Sequence, residues 1–521
     1  MTSLWDTIKN DPFGKDVQNT LQEIKQKAET STENAVIKFG TSGWRGIIGE
    51  SFTIRNFKIA VQAIIEMMKT DVYFDETGLS GFDEVRQKGI IIGRDTRFMG
   101  EDFVRVAAEV CAANEINAFV VQRESTTPDL SLTVVKEGFA GSINITPSHN
   151  PFEYEGIKFN PSDGGTADPV LTDIIEQFAG DLMENPVIPE YIETQHQQFI
   201  HNYESMRVYI NGLSESKIID LDFITKSFDP ENITFIVDNV HGASSGYLET
   251  ILPNIHFPAL RSNRDVLFGG TRPEPSPENM KLLFSEMKKY DTPLKLGVII
   301  DPDGDRVRFM DGDTDIDMNA FGAIAFHYLV TYIGLHGGIA KSVATSNMVN
   351  VIANKMAKPI FETPVGFKNF RQYLKNGQVA CAFEESDGIT LQNHTLEKDG
   401  IIGALLALEI TLRTGKNLGE YLKNLHEEYG YYFPKRFSTA ITEDQKQQLS
   451  ATLGEYTIGS NIEDLQISEI ITIDGFKFIF SDQSWLMIRP SGTEPKVRIY
   501  VESRKQEDAE KLFRIAKGLI S

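Results

Sequence analysis

Cysteine is almost missing from this chain: its 521 residues include two, Cys111 and Cys381, far apart and each in an apolar context. That argues against a disulfide framework or a cysteine-ligated metal centre and fits a reducing compartment. No window reaches the apolar length of a bilayer span, and the start, Met1-Thr-Ser-Leu-Trp-Asp6, lacks a basic region followed by an apolar run. The expectation is a cytoplasmic protein with no membrane partner. Basic residues are also scarce, 51 Lys and Arg against 74 Asp and Glu for a net charge of −23, so a nucleic acid partner is not expected. Solubility accounts for most of that excess. The nine histidines show no paired spacing such as His-x-His, which a histidine-rich metal cluster would need.

What is present is a recurring grammar of apolar strand, polar loop and amphipathic helix. Gly89-Ile-Ile-Ile-Gly93 leads into Arg94-Asp-Thr-Arg97 and a helical stretch from Glu101 to Asn114, and Asn117 to Gln122 returns as a strand. Strands alternating with helices imply crossover units and a mostly parallel sheet. The pattern recurs where Ile233 to Val237 ends in Asp238-Asn-Val-His-Gly242, Leu296 to Ile300 ends in Asp301, and Val379 to Ala382 ends in the Glu384 loop. Loops beyond the carboxyl ends of such strands collect ligands. The run Ile402 to Thr414 is apolar on nearly every face and is expected to be buried. Residues 1 to about 35 read as a surface helix or extension without chemistry, and the chain turns strongly polar after Tyr431-Tyr-Phe-Pro434, with a strand pair around Ile470 to Phe480. Length and pattern together place boundaries near residues 205, 318 and 432, dividing the chain into segments 1–205, 206–318, 319–432 and 433–521.

Four constellations carry chemistry. Thr146-Pro-Ser-His-Asn-Pro151 puts a hydroxyl, Ser148, beside His149 at the end of an apolar run. A free serine is a poor nucleophile, so it needs a metal and a proton acceptor nearby, with His149 and Lys158 as candidates. Taken alone, the same residues fit an Asx-type turn equally well. Asp301, Asp303 and Asp305 alternate along a stretch predicted to be extended, which would turn three carboxylates to one side, and oxygen ligands suit Mg²⁺. A solvated acidic turn is the weaker alternative, and the spacing does not complete an EF-hand. Glu384 and Ser386 offer an acceptor and a donor for sugar hydroxyls, with Lys398 close enough in sequence to fold back; alone this signal is weak. Arg489, Ser491, Gly492 and Thr493 combine a guanidinium, hydroxyls and exposed N–H groups suited to a phosphate, and Lys496 and Arg498 add positive field.

In this order, together with Phe39-Gly-Thr-Ser-Gly-Trp-Arg-Gly46, these motifs resemble those of the α-D-phosphohexomutase superfamily along nearly the whole chain. The resemblance implies an α/β protein of four domains in a heart-shaped arrangement: three related mixed-sheet domains and a smaller α+β C-terminal one. It also implies a phosphoserine enzyme in which Ser148 gives its phosphoryl group to the substrate and recovers the other phosphate from a bisphosphorylated sugar. By the same resemblance Ser148, Asp301, Asp303 and Asp305 would bind Mg²⁺, and Arg45 and Arg306 would flank the reacting group. His149 and Lys158 would handle protons, and the Arg489 loop would hold the non-reacting phosphate. Glucose 1,6-bisphosphate would serve as primer. Thr363-Pro-Val-Gly366 and Glu397-Lys-Asp-Gly400 look most like phosphoglucomutases, with Thr363, Gly366 and Lys398 as further contacts for a phosphosugar. Phe383 departs from the family's glycine at that position, and Asp387 stands where a small or apolar residue is common. A mannose or pentose phosphate is therefore the alternative substrate, on a monomer or homodimer. A serine-plus-metal hydrolase and a non-catalytic phosphosugar-binding protein are the competing classes.

Overall fold

The computed structural model describes residues 3–40, 43–490 and 496–520. The chain divides into two compact units, residues 1–315 with 388–415, and residues 316–387 with 416–521.

In the first unit a six-stranded sheet is built from β1 (Trp44–Ile47), β2 (Ile90–Arg94), β3 (Ala118–Val121), β4 (Gly141–Ile145), β5 (Tyr154–Pro161) and β6 (Ile200–Tyr203), in the order β1-β5-β4-β2-β3-β6. Strands β4, β2, β3 and β6 are parallel, whereas β5 runs antiparallel to both β4 and β1. The sheet is therefore mixed, and the antiparallel β4–β5 pair brings Asn144 opposite Lys158. Helix Ile54–Met67 is capped by Thr53, whose hydroxyl accepts from Asn56 N, and its buried face joins the core with Phe52, Phe57 and Phe103. A second sheet pairs Ile233–Asp238 with Leu294–Ile300 in parallel and Leu294–Ile300 with Val307–Asp311 in antiparallel fashion, so residues 301–306 form the connection of a hairpin. Helix Gly400–Thr414 lies along those two strands, buried as its apolar pattern predicts, and Asp399 caps it by accepting from Ile401 N and Ile402 N.

In the second unit, Gly338–Ser342 runs parallel to both Ile360–Thr363 and Val379–Glu384. Strands Phe433–Ala440, Lys496–Ser503, Trp485–Pro490, Phe476–Phe480 and Leu465–Ile471 make an antiparallel sheet ending in Asn461–Ile462. Val343, Ala344, Trp485, Met487 and Tyr500 form one apolar cluster that joins the two layers. Beside it lies a buried ionic group, Lys341 at 3.1 Å and Lys477 at 3.8 Å from Glu362, with the Lys477 ammonium donating to Val343 O.

Residues 3–35 differ from the expected surface extension. Helices Leu4–Asn10 and Val17–Thr30 bury Trp5, Ile8, Leu21, Ile24 and Ala28 in the main core of the first unit. Sparse apolar positions sufficed because most of those present point inward, Phe13 being the exposed exception.

Candidate active site

Ser148 comes after β4 in a turn and adopts a left-handed backbone, φ 59°. This is a costly conformation for a residue with a side chain, and it persists only where surroundings enforce it. Arg97, fully buried, supplies that enforcement: its guanidinium donates to Ser148 O at 2.7 Å, Asn150 O at 2.5 Å and Pro151 O at 2.7 Å. Asp95 holds Arg97 in turn at 3.2 Å and accepts from the Thr146 hydroxyl at 2.7 Å. Thr146 Oγ1 takes the Ser148 N–H, so the Ser148 side chain is not spent on capping the turn. Its hydroxyl donates instead to Asp301 Oδ2 at 3.1 Å and lies 3.3 Å from His149 Nδ1.

The three aspartates converge, but not by strand alternation. Residues 302–304 form a turn closed by Gly304 N on Asp301 O. Gly304 has φ 72°, and a Cβ there would meet Thr126 at 2.6 Å, so glycine is required on both counts. Asp301 Oδ1 accepts from the backbone of Asp305 and Arg306, each at 3.0 Å, which folds the loop over its own first acid. One carboxylate oxygen from each of Asp301, Asp303 and Asp305 lies within 4.8 Å of the others, and all three residues are buried. Asp303 Oδ1 and Asp305 Oδ1 have no hydrogen-bond partner despite burial. Oxygen-only donors, convergence and two unsatisfied acceptors fit a hard divalent cation.

Lys158 reaches this cluster rather than the Ser148 hydroxyl: its ammonium is 2.6 Å from Asp303 Oδ2 and 2.8 Å from Asp305 Oδ2. Lys398 joins at 3.1 Å from Asp305 and 3.0 Å from Glu397. Burial pushes the Asp305 carboxyl up, but Lys158, Lys398 and Arg306 outweigh it and hold the group below the usual range. Burial, then Asp303 and Asp305, push Asp301 well above that range, the direction crowded acids take until a cation of higher charge shares the site. Burial followed by the field of Arg306, Arg45 and Arg272 keeps His149 well below its ordinary value, hence neutral at pH 7. Arg45 is steadied by Asn150 Oδ1 at 3.1 Å.

The Lys398 loop is docked from several sides within the same unit. Thr166 donates to Glu397 at 2.6 Å, while Tyr209 and His394 both meet Asp399 Oδ2 at 2.6 Å. Lys398, expected from the sequence to contact a phosphosugar, lies against Asp305 and Glu397.

In the second unit, Glu384 accepts from Gly366 N at 2.6 Å, which brings the Thr363–Gly366 loop and the Glu384-Glu-Ser386 turn together. Thr363 donates to Pro364 O, and Ser386 is half-buried in the turn. Asp474 bridges this loop to Arg489, accepting from Val365 N at 2.9 Å and Arg489 Nε at 2.7 Å. Arg489 and Arg498 face each other in register across antiparallel strands and so share one sheet face. Ser491, Gly492 and Thr493 lie outside the described residues, as do Thr41 and Ser42 of the Arg45 motif. Phe383, the departure noted in the sequence, is buried with its ring against Gly322, where even a Cβ would meet it at 2.3 Å. The ring fills the space that Gly322 leaves open.

Sequence reading missed Arg97 and Asp95. The available signal was position, since Arg94-Asp-Thr-Arg97 lies at the carboxyl end of β2, where α/β sheets keep their functional loops.

A hydroxyl bonded to one of three converging acids, with two lysines on the other acids and the serine and acids on loops of an α/β sheet, fits a phosphotransferase class. Comparison with known proteins narrows it. Residues 36–185, 207–314 and 317–429 match phosphoglucomutase/phosphomannomutase alpha/beta/alpha domains I, II and III, and residues 440–515 match the C-terminal domain of the same family. The chain is 27% identical to a phosphoglucomutase of Komagataeibacter xylinus, covering 92% of this chain and 90% of that protein. It is 26% identical to phosphoglucomutase 1 of Drosophila melanogaster, over 90% and 91% of the two chains. The open form of parafusin, a phosphoglucomutase from Paramecium, superposes with a TM-score of 0.74 at 23% identity, over 94% of this chain and 96% of that one. The chain belongs to the phosphoglucomutase/phosphomannomutase family of phosphotransferase mutases and has its four-domain architecture. Among the described residues, no helix is long and apolar enough to cross a membrane.

Proposed function

We propose that this protein interconverts glucose 1-phosphate and glucose 6-phosphate through a phosphorylated Ser148 and a bisphosphorylated glucose. The observation that carries the reading is the Ser148 hydroxyl 3.1 Å from Asp301, within a cluster of three buried acids. In the first half-reaction the bond from phosphorus to Ser148 Oγ breaks, a bond from phosphorus to a sugar oxygen forms, and the hydroxyl proton leaves that oxygen. The second half-reaction reverses this at the other end of the sugar, returning a phosphoryl group to Ser148. His149 and Lys158 are the assigned proton carriers, and Arg45 and Arg306 the assigned cations beside the transferring group. Asp301, Asp303, Asp305 and Ser148 would hold Mg²⁺, which supplies charge neutralisation of the phosphoryl oxygens.

The distant phosphate is assigned to Arg489 and Arg498 with Ser491, Gly492 and Thr493. The sugar hydroxyls are assigned to Glu384 and Ser386, and further phosphosugar contacts to Thr363, Gly366 and Lys398. Segments 1–205, 206–318, 319–432 and 433–521 are the proposed domains. A mannose or pentose phosphate is the second reading, motivated by Phe383. Burial of that ring against Gly322 favours a packing role for it, so glucose stays first.

The test combines a substrate panel with intact mass. Glucose 1-phosphate should turn over faster than the mannose, glucosamine and ribose 1-phosphates when primed with glucose 1,6-bisphosphate. The primed protein should gain the mass of one phosphoryl group, and Ser148→Ala should lose both the gain and the turnover. Undiminished turnover in that variant would overturn the phosphoserine role, and preference for another sugar would overturn the substrate.

A further inference from the structure

Residues 3–12 lie outside the matched family domains, yet they pack directly behind the loops that carry the reacting groups. Trp5 is 2% exposed and donates from its indole to Ile48 O at 2.9 Å. Its ring centroid lies 5.9 Å from Phe152 and 6.5 Å from Phe98. Ile48 comes directly after the strand that holds Arg45, Phe98 directly after Arg97, and Phe152 directly after the Ser148-His-Asn-Pro151 turn. Ile48 N also donates to Glu153 O at 3.0 Å, so Trp5 closes the free end of a pairing between the Arg45 strand and the Ser148 loop. Lys9 fastens the same corner from the other side, 2.9 Å from the carboxylate of Glu153, a side chain only 6% exposed. Pro12 abuts Gly270, where a Cβ would come within 2.7 Å of it. Gly270 stands two residues before Arg272, one of the cations whose field reaches His149.

One short segment thus touches four loops, each bearing a group of the site, and contributes none of the reacting atoms itself. Local sequence cannot make such a layer necessary. The strained Ser148 backbone can, because a left-handed serine holds its place only if the chain on both sides is pinned. Arg97 pins the carbonyls of the turn, and the N-terminal helix pins Phe152 and Glu153 on its carboxyl side.

We propose that residues 3–12 are a brace for the phosphoryl-accepting loop, with Trp5, Lys9 and Pro12 as positioning residues that keep the Ser148 hydroxyl aimed at Asp301. The kinetic part of this rests on the mutase reading above; the structural part does not. A loosened loop should transfer phosphoryl groups to sugar less efficiently and lose more of them to water, while leaving capture of the sugar phosphate by Arg489 unaffected.

The experiment compares the full-length wild type with Trp5→Ala, Trp5→Phe, Lys9→Met and Lys9→Arg. Amide hydrogen exchange over residues 148–154 should accelerate about tenfold in Trp5→Ala and Lys9→Met. Residues 338–342 and 485–490 should be unchanged, and Trp5→Phe and Lys9→Arg should restore most of the protection. In turnover, kcat should fall roughly tenfold with KM within about twofold, and hydrolysis of the phosphoenzyme should rise relative to transfer. Lys9 is surface-anchored, so Lys9→Met keeps the test alive if Trp5→Ala does not fold. Unchanged exchange at 148–154 in Lys9→Met overturns the brace. Accelerated exchange in these variants of a protein whose wild type turns over no sugar phosphate would support the brace and sink the mutase reading instead.

Discussion

Lys158→Met probes the electrostatics of the site most directly. The ammonium is 4% exposed and sits 2.6 Å from Asp303 and 2.8 Å from Asp305. Methionine keeps much of the stem and removes the charge, leaving Asp303 Oδ2 with the Thr127 hydroxyl at 2.7 Å and Asp305 Oδ2 with Lys398 at 3.1 Å. Deleting one partner of a buried ionic group costs about 3–5 kcal/mol, because the acids left behind stay desolvated. Unfolding a unit of about 340 residues carries roughly 0.7 kcal/mol per kelvin of entropy, so the loss corresponds to a fall of about 4–7 °C in Tm. A divalent cation supplies the missing positive charge. Mg²⁺ at about 100 times its Kd contributes ~2.7 kcal/mol, or roughly 4 °C, and it should contribute more to the variant than to the wild type. Thermal melts of both proteins in EDTA and in MgCl2 measure this. A variant that melts at the wild-type temperature in EDTA, or an equal Mg²⁺ increment in both proteins, would refute the shared neutralisation of these acids.

Two further perturbations address the second unit. Arg489→Ala should raise KM roughly tenfold or more, since a charge-assisted contact is worth about 1.5–3 kcal/mol, while kcat changes little; steady-state kinetics with an unchanged KM would contradict the assignment. Burial, then Lys341, lower the Lys477 ammonium from its ordinary 10.5 to about 8. The native state therefore binds fewer protons than the unfolded chain between pH 8 and 10.5, and stability rises with pH across that window. Lys477→Met should be the more stable protein at pH 7, by at most ~3 kcal/mol, and the advantage should shrink by pH 10. Urea unfolding at the two pH values decides it, and an equal offset at both would rule the charge out as the cause.

Much of the site was legible because its chemistry is carried by short contiguous motifs. Asp301, Asp303, Asp305 and Gly304 pointed to a cluster of oxygen donors in preference to a solvated acidic turn, although it is a turn rather than an extended strand that gathers them. Strand-loop-helix alternation likewise announced an α/β fold. It did not announce that β5 turns back antiparallel, because the residues of a strand buried on both faces carry no sign of its direction. Arg97 looked like one more loop cation, since its importance lies in carbonyls more than fifty residues away. The N-terminal helices looked peripheral because sparse apolar residues say nothing about where their partners are.

By itself, then, the sequence determined the inventory: a serine in a proline-flanked turn, an acid loop, and an arginine loop, each specified by neighbours along the chain. Tertiary structure alone decided which charges neutralise which. Lys158 meets Asp303 across 145 residues, and Lys398 meets Asp305 across the chain as well. The physical reason is that a buried ion pair is settled by distance and desolvation in space, and neither is encoded in the spacing of residues along a chain.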